Sequence, residues 1–284
     1  MSSYRLSFIT PLFSKGSYDD IPEVRPPSIR GQLHWWFRAL GGSHRAEKSI
    51  FGSVHGGAAA SKVVVRVNNL GGEKGEVATL PHKRGGLASP KFAYKPGTTC
   101  DLHITFRLGG LDSHLGEAFE RTVEAWLLLG TLGLRGTRAA GSFAWNPLSM
   151  GAATPPQNIA EYRARCAMVL QAAPLECHLI DQAFNSAEEA QRIVSDTIGG
   201  REDKQGASEL ASIRYPLGRV FGERKTSPLR FRIVRLGTQF HIVAVWDGRS
   251  AVTGNKTGDL GAAIELLRTK SKKIGSLLAG AFAH

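Results

Sequence analysis

Cysteine and long apolar runs are both scarce in this sequence. Its 284 residues contain three cysteines, Cys100, Cys166 and Cys177. Their spacing excludes a Cys-x-x-Cys metal knuckle, and their odd number argues against a disulfide framework. No apolar run approaches the roughly 18 residues that span a bilayer, and the opening stretch YRLSFITPLF alternates like a strand instead of resembling a signal peptide. We therefore expect a soluble protein of the reducing cytoplasm.

Acidic residues are too few to balance the basic ones. The 24 aspartates and glutamates face 36 lysines and arginines, which leaves a net charge of +12. A charge of this sign favours a polyanionic partner, nucleic acid above all. The apolar fraction of 42% is normal for a folded protein with a substantial core.

Familiar catalytic signatures are missing as well. The sequence contains no His-Glu-x-x-His, no Gly-x-Ser-x-Gly and no Gly-x-Gly-x-x-Gly after a predicted strand. The stretch GRSAVTGNKTGD resembles a phosphate-binding loop, but five residues separate Gly248 from Gly254 and Asn255 precedes Lys256. We interpret it as a turn, and we expect neither a cofactor nor a metal.

What the sequence does have is the element order of a known α+β fold. Alternation predicts a strand over residues 4–10, and the runs KVVVRV, CDLHITFRL and SFAW predict three more. Helical spacing predicts one helix from the N-cap Ser28 to Gly41 and another over residues 115–132. The resulting β-α-β-β-α-β order is that of the ferredoxin-like fold, which RNA-recognition domains also use. A glycine-rich, basic segment near residues 68–98 is predicted to be a long exposed loop.

The second half predicts a further α+β domain. We expect a domain boundary at residue 150, within the linker-like MGAATPPQN, so that the domains are 1–150 and 151–284. Beyond the linker we predict a strand at RCAMVLQ, a helix at SAEEAQRIVSDTI, strands at PLRFRIVRL and QFHIVAVW, and a helix near residues 259–270. Because SIFGSVHG precedes one strand and RVFGERKT precedes another, an internal duplication is a further hypothesis.

The stretch RPPSIRGQLHWWFRALGG, residues 25–42, combines an apolar face with a basic edge. On a helix, Ile29, Leu33, Trp36 and Leu40 share one face, with Phe37 beside them. The basic residues Arg30, His34 and Arg38 lie four apart on a neighbouring edge, where like charges repel mildly unless an anion relieves them. One interpretation is a core helix with a solvated edge. The other is an anion site near the helix N-terminus, where free amides also favour phosphate.

A second motif, GTLGLRGTRAAGS, follows the second predicted helix. Four of its residues are glycines (Gly130, Gly133, Gly136 and Gly141), which allow close backbone approach. Arg135 and Arg138 supply guanidinium groups that suit phosphate oxygens. A glycine-rich turn between helix and strand is the plainer alternative, but we favour a loop that cradles a nucleic-acid backbone.

Together these stretches resemble the RAMP superfamily of CRISPR effector proteins. The TPLF after the first strand, RPPSIRGQLHWWFRAL, IFG and GLRGTRAAGSF carry the resemblance, which is strongest to the first-subunit family of the type III-B Cmr complex. Arg25, Ser28, Arg30, Gly31 and Arg38 fall on that family's pattern. His34 stands where the family usually has arginine, and Ala139-Ala140 where it usually has Arg-Gly.

The resemblance implies a fold and a role. We expect two ferredoxin-like RAMP domains with antiparallel sheets and helices on one face. We also expect a non-catalytic RNA-binding subunit that holds guide RNA, or the guide–target duplex, near its 3′ end beside other subunits of a type III effector complex. The expected RNA-binding residues are Arg25, Ser28, Arg30, Gly31, His34, Arg38, Gly133, Arg135, Gly136, Arg138 and Gly141.

A metal-independent endoribonuclease is the alternative. A histidine among His34, His44 and His55 would act as the general base. An acid-based variant would use Asp19 or Asp20, which fall in the loop after the first strand.

Overall fold

The computed structural model describes residues 2–16, 18, 21–54, 58–79, 90–107, 109–199, 219–221, 223–225 and 228–249. Within these ranges, the helices are α1 (Pro26–Ala39), α2 (His44–Phe51), α3 (Ser113–Leu129), α4 (Ile159–Leu170) and α5 (Ala187–Gly199), with a short 3-10 helix at Gly136–Arg138. The strands of the N-terminal half are β1 (Ser2–Phe8), β2 (Val63–Gly71), β3 (Lys74–Ala78), β4 (Pro90–Tyr94), β5 (Thr99–Phe106) and β6 (Phe143–Pro147). Those of the C-terminal half are β7 (Leu175–Phe184), β8 (Arg219–Phe221), β9 (Glu223–Lys225), β10 (Leu229–Leu236) and β11 (Gln239–Asp247).

The first sheet has the predicted ferredoxin-like topology. Its strand order is β2-β5-β1-β6, and every neighbouring pair is antiparallel. Leu6 of β1 lies opposite Cys100 of β5 and Trp145 of β6, and all three side chains point into the core beneath α1 and α3. The opposite face is polar, and there Arg5 forms a bidentate ion pair with Asp101. Strand alternation therefore places one apolar face under the helices, as expected.

Helix α1 starts earlier than predicted. We expected Ser28 to be the N-cap, but the cap residue is Arg25, and Pro26 and Pro27 form the first turn. Proline fits there because its missing N–H has no helical acceptor and its φ is already helical. The predicted apolar face is confirmed: Ile29, Leu33, Trp36, Phe37 and Leu40 are buried.

The segment near residues 68–98 is not a structureless loop. Strand β2 continues to Gly71, and β3 pairs with β4 as an antiparallel ribbon. Ala93 and Tyr94 of β4 are buried, and Tyr94 pairs with Leu12 beyond the end of β1. The glycines and lysines of these short strands interrupt the alternation of apolar and polar residues, so the sequence pattern did not predict the strands. Residues 80–89 lie outside the described residues.

The second sheet has the order β10-β11-β7 and is antiparallel throughout. One face packs on α5 through residues such as Phe231, Ile242 and Trp246. The other face joins the main core, where Val243 and Val245 meet α4 and the N-terminal half. This sheet is thus covered on both faces. The sequence prediction that RCAMVLQ is a strand is wrong, because these residues end helix α4, which Asn158 caps by accepting from the Glu161 N–H at 2.9 Å.

The two sheets share a strand order, since β10-β11-β7 corresponds to β2-β5-β1 with a helix after the first strand in each case. This correspondence supports the duplication hypothesis, while the domain boundary at residue 150 remains a prediction. The helix predicted near 259–270 lies outside the described residues. No helix within the described ranges is long and apolar enough to cross a membrane.

Candidate nucleic-acid interface

The basic edge of α1 faces helix α2, which sequence reasoning missed. His34 contacts the Glu47 carboxylate, with Nδ1 2.8 Å from Oε1. The same carboxylate lies 3.5 Å from Nε of Arg38 and 3.8 Å from Nδ1 of His44. Glu47 is buried, whereas the Arg38 side chain is 59% exposed. An internal carboxylate therefore relieves part of the repulsion along this edge, and Arg38 still faces solvent.

Arg30 is engaged by the protein itself. Its guanidinium donates to the backbone carbonyl of Phe51, the last residue of α2. Helix C-termini leave carbonyls without helical donors, and a basic side chain satisfies them well. Arg30 thus helps to fix α2 against α1, and its positive charge lies between the two helices.

The remaining predicted residues of this region lie at the start of α1. Arg25 has its Nε 3.8 Å from the Glu23 carboxylate. Ser28 and Gly31 are exposed, and a β-carbon at Gly31 would meet nothing within 4 Å. The first turn of α1 contains no acidic residue, but Pro26 and Pro27 have no N–H and the Ser28 N–H donates to the Arg25 carbonyl at 3.0 Å. The expectation that free amides at this helix end favour phosphate is therefore wrong for these residues.

Helix α2 carries two further cations that the sequence analysis did not single out. Arg45 is exposed and Lys48 is half-buried, both on a helix that begins after the N-cap Ser43. Helices α1 and α2 thus carry four arginines and lysines, Arg30, Arg38, Arg45 and Lys48, and one carboxylate, Glu47, which contacts Arg38. We call these five residues, with His34, the α1–α2 edge.

The glycine-rich loop uses its glycines for its own packing. Gly133 and Gly141 have φ values of +83° and +66°, which favour glycine. A β-carbon at Gly133 would lie 2.6 Å from the carbonyl oxygen of Phe13. A β-carbon at Gly141 would overlap the carbonyl oxygen of Leu132. A β-carbon at Gly136 would overlap the Thr131 hydroxyl. These close approaches are to the chain itself, so the glycines are needed for the packing of the loop. Their role in RNA binding remains a prediction.

Arg135 and Arg138 remain the charged residues of that loop. Arg135 is exposed and adopts a left-handed conformation with φ of 59°. Burial, and then the neighbouring Arg135 charge, lowers the pKa of Arg138 to about 10. Arg138 thus stays cationic near neutral pH, and the loop places two arginines close together.

Strand β10 connects the α1–α2 region with the glycine-rich loop. The Arg230 guanidinium stacks over the Trp35 ring of α1 at 3.9 Å. Further along β10, the backbone N–H of Ile233 donates to Ser142, whose hydroxyl donates to the Ala139 carbonyl of the loop. Arg230 and Arg232, at alternate positions in the apolar run PLRFRIVRL, were the sequence signal that this strand makes polar contacts. His55, Asp19 and Asp20 lie outside the described residues.

Comparison with known proteins identifies the N-terminal half. The model of the RAMP superfamily matches residues 5–144, the region that contains the first sheet, the α1–α2 edge and the glycine-rich loop. Residues 5–144 belong to the RAMP superfamily. The first sheet and the loop after α3 both lie within, or end close to, these matched residues.

A curated relative of this RAMP region is the CRISPR system Cmr subunit Cmr1-2 of Pyrococcus furiosus. It is 35% identical over 83 residues, which cover 26% of this chain and 43% of the relative. The match thus spans less than half the length of that protein.

Solved structures share the fold of this protein over most of the chain. Cmr1 of Pyrococcus furiosus gives a TM-score of 0.55 at 17% identity, covering 86% of this chain and 87% of the other. A chain of the type III-B Cmr-beta complex bound to cognate target RNA gives 0.56 at 11% identity, covering 95% and 99%. At these identities the likeness concerns the fold.

Proposed function

We propose that this chain is a non-catalytic RNA-binding subunit of a type III CRISPR effector complex. It holds guide RNA, or the guide–target duplex, near the 3′ end and works beside other subunits of the complex. The observation that carries the proposal is the RAMP match over residues 5–144, extended by a shared fold with a Cmr chain across 95% of this chain. The net charge of +12 suits this partner.

The α1–α2 edge and the arginines of the glycine-rich loop are the surface we propose for the RNA backbone. Arg38 and Arg135 are exposed cations, Arg30 lies about two helical turns before Arg38 on α1, and Arg138 lies three positions after Arg135 in the loop. The second sheet is covered on both faces, so its strands are not open to bases as those of an RNA-recognition domain are. Phosphate contacts by arginine position a nucleic acid without reading its sequence, so we expect weak base preference.

Salt dependence of RNA binding tests this surface. We expect the affinity of the full chain for single-stranded RNA to fall steeply with salt, with a log–log slope that loses about 0.7 for each contact removed. The test variant replaces Arg30, Arg38, Arg135 and Arg138 with alanine. The control replaces four exposed cations outside the α1–α2 edge and the glycine-rich loop, Arg66, Lys74, Lys91 and Arg107, and removes the same charge.

The location of the site is supported only if the test variant loses more affinity and slope than the control. Equal losses in both variants would mean that net charge alone attracts RNA. Unchanged binding by the test variant would show that the proposed surface is wrong. Purification of the chain with its native partners, followed by sequencing of the bound RNA, tests its place in the complex.

One contact favours the second candidate, an endoribonuclease with a histidine base. The Glu47 carboxylate orients His34 as an acidic residue orients a catalytic histidine. Incubating the purified chain with RNA, with and without divalent metal, separates the candidates. RNA that is bound but intact supports the scaffold, whereas cleavage that His34→Ala abolishes supports the enzyme.

A further inference from the structure

The imidazole of His34 is held in one orientation by two contacts. Its Nδ1 lies 2.8 Å from Oε1 of Glu47, and its ring stacks on Phe51 with centroids 3.9 Å apart and planes at 30°. Both partners belong to α2. Phe51 covers one face of the ring and Glu47 binds one ring nitrogen, while 24% of the side chain stays exposed.

The contact with Glu47 also fixes the tautomer. An ionised carboxylate only accepts hydrogen bonds, so Nδ1 of His34 must donate the proton. In the neutral ring, the other nitrogen, Nε2, then carries a lone pair and accepts. Within the described residues, the hydrogen bond of His34 goes through Nδ1, so no described protein group occupies Nε2.

The surroundings of His34 favour the neutral ring at neutral pH. Burial lowers the pKa of His34 from its usual 6.5, the Glu47 hydrogen bond opposes that shift, and the nearby charges of Arg30 and Arg38 reinforce it. His34 thus presents an uncharged acceptor between two arginines that lie one helical turn away on either side.

We propose that Nε2 of His34 accepts a hydrogen bond from a ribose 2′-hydroxyl and makes the α1–α2 edge select RNA over DNA. The proposal rests on the proposed function, because it assumes that a nucleic-acid backbone lies along this edge. Phosphates are common to RNA and DNA, so arginines alone cannot distinguish them. The 2′-hydroxyl is the donor that only RNA offers.

The experiment compares three probes that differ at one position of the sugar. They are a short oligouridine, the same oligomer with 2′-O-methyl groups, and the deoxy oligomer. We expect the full chain to bind the first about fivefold more tightly than the other two, the effect of one net hydrogen bond. His34→Phe keeps a ring on Phe51 without an acceptor, and it should bind all three equally. His114→Phe alters an exposed histidine on α3 and should behave like the unaltered chain.

Each other outcome overturns the proposal in a recognisable way. If the unaltered chain binds the three oligomers equally, His34 does not read the 2′-hydroxyl, and this result does not depend on any variant folding. If His34→Phe weakens all three by the same factor, His34 is a phosphate ligand. If none of the oligomers binds even at low salt, the proposed function fails first.

Discussion

Trp35 and Trp36 are neighbours in the chain and lie in different surroundings. Trp36 is 1% exposed in the main core, and its indole N–H has no hydrogen-bond partner among the described residues. Trp35 is half-buried, meets Trp36 edge-on at 5.0 Å and carries Arg230 on its face. Trp36 therefore contributes through packing, and Trp35 joins α1 to β10.

We expect Trp36→Ala to lower the free energy of unfolding by about 3–5 kcal/mol, because it empties a large volume in a close-packed core. Trp35→Ala is the matched control, and it should cost less, since its main loss is the stacked Arg230, on the order of 1–2 kcal/mol. Chemical denaturation of both variants measures the difference. A Trp36→Ala protein of unchanged stability that had lost RNA binding would contradict the core assignment.

At the same scale, the sequence revealed buried residues better than polar partners. The spacing of Ile29, Leu33 and Trp36 was enough to predict the buried face of α1, because helical periodicity is local. The pairing of His34 with Glu47 spans 13 positions and depends on how α2 folds back onto α1. No local pattern in HRAEKSIF specifies that angle, so the carboxylate beneath the basic edge was not predictable.

Among the elements, the glycine-rich loop is the one whose shape depends most on glycine. It runs beside the segment after β1, where Leu134 donates to the Phe13 carbonyl and Gly141 donates to that of Pro11. Gly141 has a positive φ, and the Leu132 backbone lies so close to its α-carbon that a β-carbon has no room. The loop is thus held by the chain on both sides, which fixes where Arg135 and Arg138 lie.

Gly141→Ala should therefore destabilise the protein strongly, by more than the roughly 1 kcal/mol that a positive φ alone costs an alanine, because the methyl group overlaps the Leu132 carbonyl. Gly31→Ala is the matched control. Gly31 lies within α1 with free space around its α-carbon, so alanine should stabilise by about 0.5–1 kcal/mol. Thermal unfolding of the two variants checks the opposite signs, and equal shifts would refute the packing role of Gly141.

Element type was predictable where the period was clear and failed where apolar residues were continuous. The run RCAMVLQ fits a short buried strand as well as a helix. Its helical spacing becomes visible only when the preceding turn is included. The buried residues of α4 are then Tyr162, Cys166 and Val169, which lie three or four positions apart. The strand β7, which lies directly after α4, was missed because its alternation is interrupted by polar residues on a buried sheet.

On the scale of the whole molecule, Arg232 joins the two halves. It lies on β10 and is fully buried, where it donates to the carbonyls of Trp126 and Gly130 at the end of α3 and to that of Phe143 on β6. The last turn of α3 contains no basic residue of its own. A cation at a helix C-terminus is favourable. Burial lowers the pKa of Arg232 to about 10, so the residue is charged at neutral pH.

Because the halves also share one apolar core, we expect the protein to unfold in a single transition, and Arg232→Ala to weaken both halves together. The loss should be on the order of 3–5 kcal/mol, since three buried carbonyls lose their donor and a cavity forms. Arg235→Ala, an exposed position on the same strand, should change stability by no more than about 0.5 kcal/mol. Denaturation followed by circular dichroism gives the free energies, and hydrogen exchange at β6 and β10 reports each half separately. Loss of protection at β10 alone, with β6 unaffected, would show that the halves are stable independently and that Arg232 does not couple them.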